Sequence, residues 1–500
     1  MKILLVYPQY PDTFWSFKHA LKFISKKAGL PPLGALTVAA MLPQSWQKRL
    51  IDMSVDALTD DDIKWADYVF ISAMVVQKDS TKEVIQRCVN LGTKVVAGGP
   101  LFTIEQGEFA GVDHFILNEG EITLPEFLSD LDKGSPKPVY TTDLHPEITR
   151  TPIPMWSLLN MKKYSSMSLQ YSRGCPFNCE FCDITLLDGR NPRTKTKEQT
   201  LAELDALYYA GWRGDVFLVD DNFIGNKAKL KAETLPAVID WMEKRKHPFN
   251  LSTEASINLA DDQELMTLMV KAGFIRVFIG IETPNEDSLS ECDKKQNSSR
   301  DLVATVKLIQ RNGLEVMAGF IVGFDSDPVS IFKTQIDFIQ KSGIVTAMVG
   351  LLNAPKGTRL YHRLKGENRL LAASTGDNTD FSLNFIPKMN PDTLMNGYRD
   401  ILSTIYAPKN YYARINTLLK EYRPKTHLRK SEIKWSLVQG LFNCLWFVGV
   451  REQGRLHYWK LMASTLFTRP KSLRLLITLS AYGYHFRRVA SKYTVAPATG

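Results

Sequence analysis

Cysteine is scarce in this sequence, and the few cysteines present do not form a disulfide framework. Six of the 500 residues are cysteine, and Cys88, Cys292 and Cys444 stand alone, without a partner at a regular spacing. The chain reads into a strand from Lys2, without the pattern of a signal peptide. Because disulfides persist in oxidising compartments and are rare in the cytosol, we expect a cytoplasmic protein.

Long apolar runs are also missing. The longest one in the C-terminal part, at residues 435–450, has 16 residues and includes two polar amides. A transmembrane helix needs about 20 apolar residues, so none is expected. A composition of 44% apolar and 23% charged residues is typical of a soluble globular chain, and 500 residues predict two to four domains.

The other three cysteines form a single motif. Cys175, Cys179 and Cys182 stand at C-x3-C-x2-C spacing, in a loop containing Gly, Pro and Asn that follows a strand-like run at 166–171. A [4Fe–4S] cluster has four irons, so three thiolates leave one iron open to an outside chelating ligand. The alternatives are three unconnected thiols or an incomplete zinc knuckle, and the next histidine after the motif is His247, too far along the chain to complete one.

With Phe181 before the last cysteine, the motif resembles the C-x3-C-x-aromatic-C signature of the radical S-adenosylmethionine (SAM) enzymes. The resemblance implies that Cys175, Cys179 and Cys182 bind a [4Fe–4S] cluster, that Phe181 lies at the SAM site, and that the open iron chelates SAM. One electron then cleaves SAM to a 5′-deoxyadenosyl radical, and the cofactor carries the difficult chemistry. An electron donor of the flavodoxin or ferredoxin type is implied, and no catalytic residue beyond the cluster ligands is identified.

The part of the chain around and after this motif alternates between strand and helix patterns. Strands are predicted at 166–171, 216–219, 249–253, 277–281, 316–321 and 348–352, and helices at 197–210, 230–244, 262–272, 300–311 and 328–341. Six strands and five intervening helices predict a partial (β/α)6 barrel. In such barrels the chemistry belongs at the C-terminal ends of the strands.

Polar residues follow several of these strands. Asp220, Asp221 and Asn222 come after the second strand, Glu254 after the third and Glu282 after the fourth. The resemblance implies that the acidic end of the second strand holds the SAM ammonium group and that Glu254 or Glu282 lies near the ribose hydroxyls, for which carboxylates are natural acceptors. The alternative for the first three residues is an N-cap of the following helix.

The N-terminal part reads as a doubly wound α/β domain. Apolar runs at 2–7, 68–73, 94–97 and 114–117 alternate with helical patterns at 34–42 and 80–91. Ligands of such Rossmann-like folds bind at the carboxyl ends of the strands.

The loops at those ends resemble the cobalamin-binding domain that precedes the radical SAM barrel in one large class. The resemblance is carried by residues 31–34, 72–74, 98–100 and 119–123. It implies that cobalamin is contacted by Ser72, Gly98, Gly99, Glu119, Gly120 and Thr123. Glycine lets the backbone approach a flat macrocycle, and hydroxyls can bond to its side amides. The D-x-H-x-x-G motif is absent, so no histidine is expected on cobalt. A Rossmann-like domain that has lost cobalamin is the alternative.

Acidic residues are scarce at the other end of the chain. Residues 401–500 carry 17 Lys and Arg against three acids, and aromatic and basic residues are interleaved there, as at Tyr411, Tyr412, Arg414, Arg487 and Arg488. This tail resembles the C-terminal extension of radical SAM proteins that include the bacterial hopanoid methylases. The pattern suits an anionic membrane surface, a nucleic-acid backbone or a plain helical cap. The resemblance favours a lipid-accepting or membrane-facing cap over nucleic acid.

These patterns divide the chain into four parts. We expect a Rossmann-like cobalamin-binding domain at 1–134, a Pro-rich linker at 135–160, a radical SAM partial TIM barrel at 161–388 and a mostly α-helical domain at 389–500. The fold class is therefore α/β, with a helical C-terminal domain.

The resemblance implies a cobalamin-dependent radical SAM methyltransferase that methylates an unactivated carbon of a hydrophobic, lipid- or terpenoid-like substrate. Peripheral contact with the inner face of the membrane is a further expectation. Three alternatives remain open. One is coupling or cyclisation of lipid carbons without methyl transfer, and another is a non-catalytic cobalamin or Fe–S sensor. A tRNA methylthiotransferase would need three further N-terminal cysteines, where this chain has only Cys88.

Overall fold

Two parallel six-stranded sheets follow one another along the chain, and a group of helices comes after the second sheet. The computed structural model describes residues 1–377, 379–424 and 435–494. The predicted fold class is confirmed. Of the region predicted to be helical at 389–500, residues 425–434 and 495–500 lie outside the described residues. Within the described part, no helix is both long enough and apolar enough to cross a membrane.

The first sheet has the order β2-β1-β3-β4-β5-β6, with every pair parallel. Its strands are β1 Lys2–Tyr7, β2 Gln47–Asp52, β3 Tyr68–Ser72, β4 Lys94–Gly98, β5 His114–Ile116 and β6 Val139–Tyr140. Its helices are α1 Lys18–Leu21, α2 Leu33–Met41, α3 Asp60–Trp65, α4 Lys78–Asn90, α5 Pro100–Glu105 and α6 Gly120–Asp132. Residues 3–6 are at most 1% exposed, because helices cover both faces of a parallel sheet.

The sheet extends past the predicted boundary at residue 134. Strand β6 lies within the predicted linker, and its Tyr140 is buried against the sheet. The segment that follows is irregular, with short 3-10 turns at Ile148–Arg150, Trp156–Leu158 and Met161–Lys163. The extended linker predicted for 135–160 is therefore partly a strand.

The second sheet has the order β14-β13-β12-β11-β10-β7 and is parallel throughout. Its strands are β7 Ser166–Leu169, β10 Asp215–Leu218, β11 Asn250–Glu254, β12 Phe274–Glu282, β13 Glu315–Val322 and β14 Ala347–Leu351, and a small antiparallel pair, β8 Ser172–Arg173 and β9 Arg193–Thr194, follows β7. The helices are α7 Ile184–Leu187, α8 Lys197–Tyr209, α9 Lys227–Lys229, α10 Leu235–Lys244, α11 Gln263–Lys271, α12 Glu286–Glu291, α13 Leu302–Arg311, α14 Ile331–Ser342 and α15 Arg359–Gly366. All six predicted strands and all five predicted helices are present within a few residues.

The C-terminal helices are α16 Pro391–Tyr406, α17 Pro408–Glu421, α18 Trp435–Trp446, α19 Arg455–Thr468 and α20 Leu473–Thr494. Helix α16 covers the edge strand β14: the Tyr398 hydroxyl donates to the Val349 carbonyl at 2.9 Å, and the Tyr406 hydroxyl to the Ala347 carbonyl at 2.6 Å. Capping these carbonyls closes an edge that would otherwise be free to pair. Many of the tail's aromatic residues are therefore core.

The start of the chain packs against the last helix. The ring of Phe14 stacks on Phe486 of α20 with centroids 4.3 Å apart, and His485 Nε2 bonds to the Phe14 carbonyl at 2.9 Å. The Asn443 amide of α18 donates to the Phe23 carbonyl at 2.9 Å. Residues 14–24 thus fill the space between the barrel and the C-terminal helices.

Candidate active site

A cavity of about 2380 Å³ is bordered by all three parts of the chain. The first sheet contributes Ser72 and Met74, the barrel contributes Phe181, Cys182, Asp221, Glu254 and Glu282, and the C-terminal helices contribute Leu441 and Tyr482. A pocket for one small molecule usually has about 300–1,000 Å³, so this one has room for several ligands. The carboxyl ends of both sheets face it, as predicted for the two folds.

The three motif cysteines lie in one loop between β8 and α7. The amide of Cys182 donates to the Cys179 carbonyl at 3.2 Å, and the amide of Cys175 donates to the Gly189 carbonyl at 3.2 Å. Gly174 has φ +91°, and a side chain there would meet three backbone oxygens at 3.0 Å. The glycine before the first cysteine is thus required by the tight return of the loop.

The three thiols lie close enough to interact electrostatically. Burial raises the pKa of Cys175 and Cys182, and nearby Cys179 raises both further, so the three sulfur atoms are neighbours. Among the described residues, the group of ligand atoms that all lie within 4.8 Å of one another is Asp12, His19 and His485, not the cysteines.

Residues outside the cysteine loop, which the sequence analysis did not identify, bond to the loop and hold it in place. Arg363 of α15 donates from Nε and Nη2 to the two carboxylate oxygens of Glu180, at 2.8 and 3.0 Å. The Glu180 amide donates to the carbonyl of Cys292, whose side chain is 1% exposed. Phe181 packs near Phe324, with ring centroids 6.3 Å apart, and also borders the cavity. These contacts fix the cysteines before any cofactor binds.

Acidic side chains surround the cavity next to this loop. Asp221, Glu254 and Glu282 border it, together with Asp183 and Asp188. Burial raises the pKa of Glu254 to about 7, with a smaller contribution from Asp220. Burial and then Asp188 raise the pKa of Asp221 well above its ordinary value. This acid-lined wall suits a ligand with cationic groups and hydroxyls such as SAM.

Glu282 is held in an unusual backbone conformation. Its φ is +62°, in the left-handed region that non-glycine residues rarely adopt, and the carbonyls on its N-terminal side are bound by the Asn297 amide at 3.0 and 2.9 Å. Its carboxylate accepts from Lys294 Nζ at 2.8 Å. A side chain at Gly280 would collide with that pair, so the glycine makes room for it. Strain of this kind costs about 1–3 kcal/mol and is typical of functional sites.

Lys294 is a cation that the sequence analysis missed. Burial lowers its pKa, but Glu282 and then the side chain of Cys179 outweigh burial and raise it above its ordinary value. Its ammonium group is therefore charged and lies near the cysteine loop. No motif marks this residue, which comes from the irregular segment after α12.

Two of the predicted SAM residues point elsewhere. Asp220 is 1% exposed and accepts from the Tyr171 amide at 3.1 Å, from the Ser172 hydroxyl at 2.5 Å and from the Ser172 amide. The Asn222 side chain accepts from the amide and hydroxyl of Ser256, at 3.2 and 3.3 Å. Both side chains join neighbouring strand ends rather than face the cavity. Asn222 occupies the N-cap position of the 3-10 turn Phe223–Asn226, but its side chain makes no capping bond there. Asp221 is the acid of this triplet that borders the cavity.

Only some of the predicted cobalamin residues lie at the cavity. Ser72 borders the cavity. A side chain on Gly98 would lie 2.7 Å from the Ile116 carbonyl oxygen, and Gly99, at φ +93°, would meet Ala73 O at 3.2 Å. Strand packing thus already explains these two glycines. A side chain on Gly120 would meet nothing within 4 Å.

The side chains of Thr123 and Glu119 already bond to other groups of the protein. The buried Thr123 hydroxyl donates to the Leu117 carbonyl at 3.0 Å. Glu119 Oε2 accepts from Arg173 Nη1 at 2.7 Å and from Arg193 Nη1 at 2.9 Å. Arg173 also pairs with Glu121 at 2.9 Å. This network, absent from the sequence-based prediction, joins the first sheet to the strand that leads into the cysteine loop.

Among the residues that the structure describes, no histidine borders the cavity. His114 is buried and its Nδ1 bonds to the Lys137 carbonyl at 2.7 Å. That no protein histidine binds cobalt stays a prediction.

Binding of SAM is expected to depend on pH through Glu254. With a pKa of about 7 this carboxyl is mostly neutral at pH 6 and mostly ionised at pH 8, and the ionised form is the better acceptor for hydroxyls and cations. The SAM dissociation constant should fall by about tenfold across that range in the cluster-loaded protein, measured by equilibrium dialysis. Glu254→Gln should remove that pH dependence. An identical pH profile in the variant would contradict this role of Glu254.

Three family models match successive parts of the chain. A B12-binding domain matches residues 24–128, the radical SAM superfamily matches residues 169–339, and a domain of unknown function, DUF4070, matches residues 358–497.

Known proteins resemble the chain over nearly its whole length. An uncharacterized methyltransferase of Synechocystis is 43% identical over 97% of this chain and 91% of its own. The hopanoid C-2 methylase of Rhodopseudomonas palustris is 34% identical over 96% of this chain and 92% of its own. The solved structure of the cobalamin-dependent SAM radical enzyme OxsB, with aqua-cobalamin bound, shares the fold at a TM-score of 0.63 and 15% identity, covering 98% of this chain and 80% of that one.

Proposed function

The chain belongs to the family of cobalamin-dependent radical SAM methyltransferases that includes hopanoid C-2 methylase, and from this premise we propose that it methylates a carbon of a polycyclic, hopanoid-like lipid. The predicted family, enzyme class and cofactors, namely the [4Fe–4S] cluster, SAM and cobalamin, are confirmed. The substrate remains a proposal, and so do the individual site residues and the domain boundaries.

The composition of the cavity wall supports a lipid substrate. Between the acids near the cysteine loop and the polar residues at the opposite strand ends, many barrel positions that border the cavity are apolar or small, such as Phe217, Phe278, Met317, Met348 and Gly350. A wall of this kind binds apolar surface and offers few partners to a strongly polar molecule. An acidic, hydroxyl-accepting end and an apolar continuation suit a site for SAM beside a hydrocarbon.

Each group of residues has a role in this proposal. Cys175, Cys179 and Cys182 would hold the cluster, and Asp221 with Glu254 would bind the cationic and hydroxyl groups of SAM. Ser72 would lie beside cobalamin. When bound, these cofactors supply a carbon-centred radical and a methyl group. The protein positions the reacting groups and excludes water, and an electron donor of the flavodoxin or ferredoxin type would serve the cluster.

The direct test is reconstitution without oxygen. The protein would be loaded with iron, sulfide and hydroxocobalamin and supplied with SAM, a reductant and a pentacyclic hopane. We expect 5′-deoxyadenosine together with a product heavier by one CH2, detected by mass spectrometry. SAM cleavage with a cyclised or coupled product that carries no added methyl group would instead support the coupling alternative.

We further propose that the C-terminal helices contact a membrane surface. Phe442 and Trp446 lie four residues apart on α18 and are 66% and 54% exposed, and Leu456 and Phe467 of α19 are 76% and 84% exposed. Trp459 links the two helices, because its indole N–H donates to the Gly449 carbonyl at 2.8 Å. Exposed aromatic side chains of this kind favour the membrane interface.

The positions of charged residues also support a membrane-contacting surface on the C-terminal helices. Arg451, Arg455 and Lys460 are exposed beside these apolar residues, and each cation near an anionic lipid surface contributes about 1 kcal/mol. Leu441, next to exposed Phe442, borders the cavity, so the apolar surface adjoins the substrate site. Arg487, one of the basic tail residues that the sequence analysis named, instead pairs with Glu452 and is 16% exposed.

Replacing Phe442 and Trp446 together with serine should weaken vesicle binding by about tenfold or more, because two interfacial aromatic side chains are lost. Vesicle binding is measured by flotation with anionic vesicles at low and high salt. The comparison reports the electrostatic part of binding, because salt screens exposed charges over about 10 Å at 0.1 M. Tyr209→Ser is the matched control, as Tyr209 is 76% exposed on α8. Equal binding to neutral and anionic vesicles, or an equal loss in the control, would contradict the proposal.

A further inference from the structure

The cavity does not stop at the acidic end of the barrel but continues along its interior. Because side chains alternate along a strand, every second residue faces inward. The inward positions Ser168, Phe217, Ser252, Phe278, Gly280 and Met317 all border the cavity, and small side chains among them leave the interior open. Ile477 and Ala481 of α20 border the same space from the side where the barrel is not closed by strands.

A polar group of residues lies at the opposite end of the strands. Asp215, Asn250 and Arg276 border the cavity there, and register places Asp215 beside Asn250, and Arg276 beside Glu315. Arg276 is six residues from Glu282 on the same strand, which at about 3.3 Å per residue is about 20 Å. Tyr482 of α20 reaches the same place: burial raises its pKa, and the neighbouring Arg276 partly offsets this.

The guanidinium of Arg276 is not fully satisfied by its protein partners. Its Nη1 lies 3.7 Å from Asp215 Oδ2 and its Nε lies 3.5 Å from Glu315 Oε2. The Nε is buried against Glu315 without a short hydrogen bond, and the Tyr482 side chain bonds to the guanidinium. A guanidinium that serves only to hold strands together normally makes short, paired bonds to carboxylates. Arg276 borders the cavity and its Nη1 is too far from Asp215 for a hydrogen bond, so the guanidinium is placed to donate to a ligand group there.

We propose that this far end of the cavity binds the uncharged, hydroxyl-bearing end of an amphiphilic substrate, with Arg276 and Tyr482 as the residues that select it. The inference rests on the proposed function and adds the class of lipid. Two carboxylates face one guanidinium here, so the cluster offers no excess positive charge to an anionic head group. A hydroxyl can both accept from Arg276 and donate to Asp215.

The distance between the two ends sets the shape of the substrate. With its polar end at Arg276 and its reacting carbon near Glu282, the substrate needs a rigid or extended apolar body of about 15–20 Å. The polar end fixes which carbon reaches the acidic end. The polar cluster at the far end therefore determines which substrate carbon is placed for reaction, as well as how tightly the substrate binds.

The test compares two probes with the same ring system, a pentacyclic hopane hydrocarbon and the same hopane with one terminal hydroxyl. Dissociation constants would be measured on the cofactor-loaded protein without reductant, so that no turnover is needed. The wild type should bind the hydroxylated probe at least about tenfold more tightly, because a site built to bond a hydroxyl rejects the analogue that lacks one. Arg276→Gln should reduce this preference to within about twofold.

Two further variants keep the test decisive. Tyr482→Phe removes a single hydroxyl and leaves the ion pairs in place, so it should weaken the preference even if Arg276→Gln does not fold. Arg300→Gln is the matched control, because Arg300 pairs with Asp261 at 3.1 Å away from the cavity lining and its loss should leave the preference unchanged. Iron content and SAM cleavage verify that each variant is folded.

The outcomes separate this inference from the proposed function. Equal binding of both probes by the wild type, or an unchanged preference in both Arg276→Gln and Tyr482→Phe, would overturn the far-end site even if both probes were methylated. Preferential binding of the hydroxylated probe that depends on Arg276, without methylation of either probe, would support the far-end site and overturn the proposed hopanoid substrate.

Discussion

Alanine at Cys175, Cys179 or Cys182 is expected to reduce 5′-deoxyadenosine formation to the background level. Each change removes one of only three protein ligands to the proposed cluster, and an iron without its thiolate is readily lost. The loop itself should remain folded, because Arg363, Glu180 and the Cys292 carbonyl hold it independently of the metal. The measurements are iron and sulfide content after anaerobic reconstitution and SAM-cleavage products by chromatography.

Cys292→Ala is the matched control for these variants. Cys292 lies directly behind the loop and is 1% exposed, but its thiol faces the Leu289 carbonyl at 3.6 Å. Its replacement should cost about 1 kcal/mol of folding free energy and leave the cluster intact. Cys88 and Cys444, both buried elsewhere, should be equally dispensable for SAM cleavage. Retained cleavage in a motif variant, or loss of the cluster in Cys292→Ala, would overturn the ligand assignment.

Arg173→Met is expected to abolish methyl transfer while SAM cleavage continues. Arg173 is 13% exposed and pairs with both Glu119 and Glu121 of the first sheet, so its loss leaves two buried carboxylates short of a partner. Breaking a buried pair in this way costs about 3–5 kcal/mol. The barrel and the first sheet should then separate more easily, which misplaces the methyl donor relative to the substrate.

The measurements for Arg173→Met are the melting temperature, the ratio of methylated product to 5′-deoxyadenosine, and cobalamin retention on gel filtration. Arg245→Met is the matched control, because Arg245 pairs with Asp205 at 2.7 Å on the outer helices of the barrel and takes no part in joining the two sheets. A normal product ratio and melting temperature in Arg173→Met would show that the network is not needed to hold the two sheets together.

The barrel was predictable because its strands are buried on both sides and its helices are amphipathic. Local pattern alone gave all six strands of the second sheet. Strand β2 escaped prediction because it lies at the sheet edge, where Gln47 and Arg49 are exposed and the apolar signal is diluted. Strand β6 has only two residues, and its Pro-rich surroundings indicated a linker. Short edge strands depend on partners that are distant in sequence.

The site was less predictable than the fold. The cysteine motif could be identified because all its members lie within eight residues, whereas the direction of a polar side chain at a strand end depends on its spatial neighbours. Asp220 turns to Ser172, and Thr123 turns to its own helix start, so neither faces the cavity. Lys294, Arg173 and Arg276 were missed because their partners are set by tertiary packing rather than by a local pattern.

The contact between residues 14–24 and helix α20 also bears on the order in which the protein is made. Phe14 and Phe23 emerge from the ribosome more than 400 residues before their aromatic partners Phe486 and Phe447. At about 5–20 residues per second, this segment lacks those partners for some tens of seconds. Until then its apolar rings are exposed to solvent or to other chains. Newly made chains should therefore depend on chaperones, and C-terminal truncation should cause aggregation rather than yield a smaller folded enzyme.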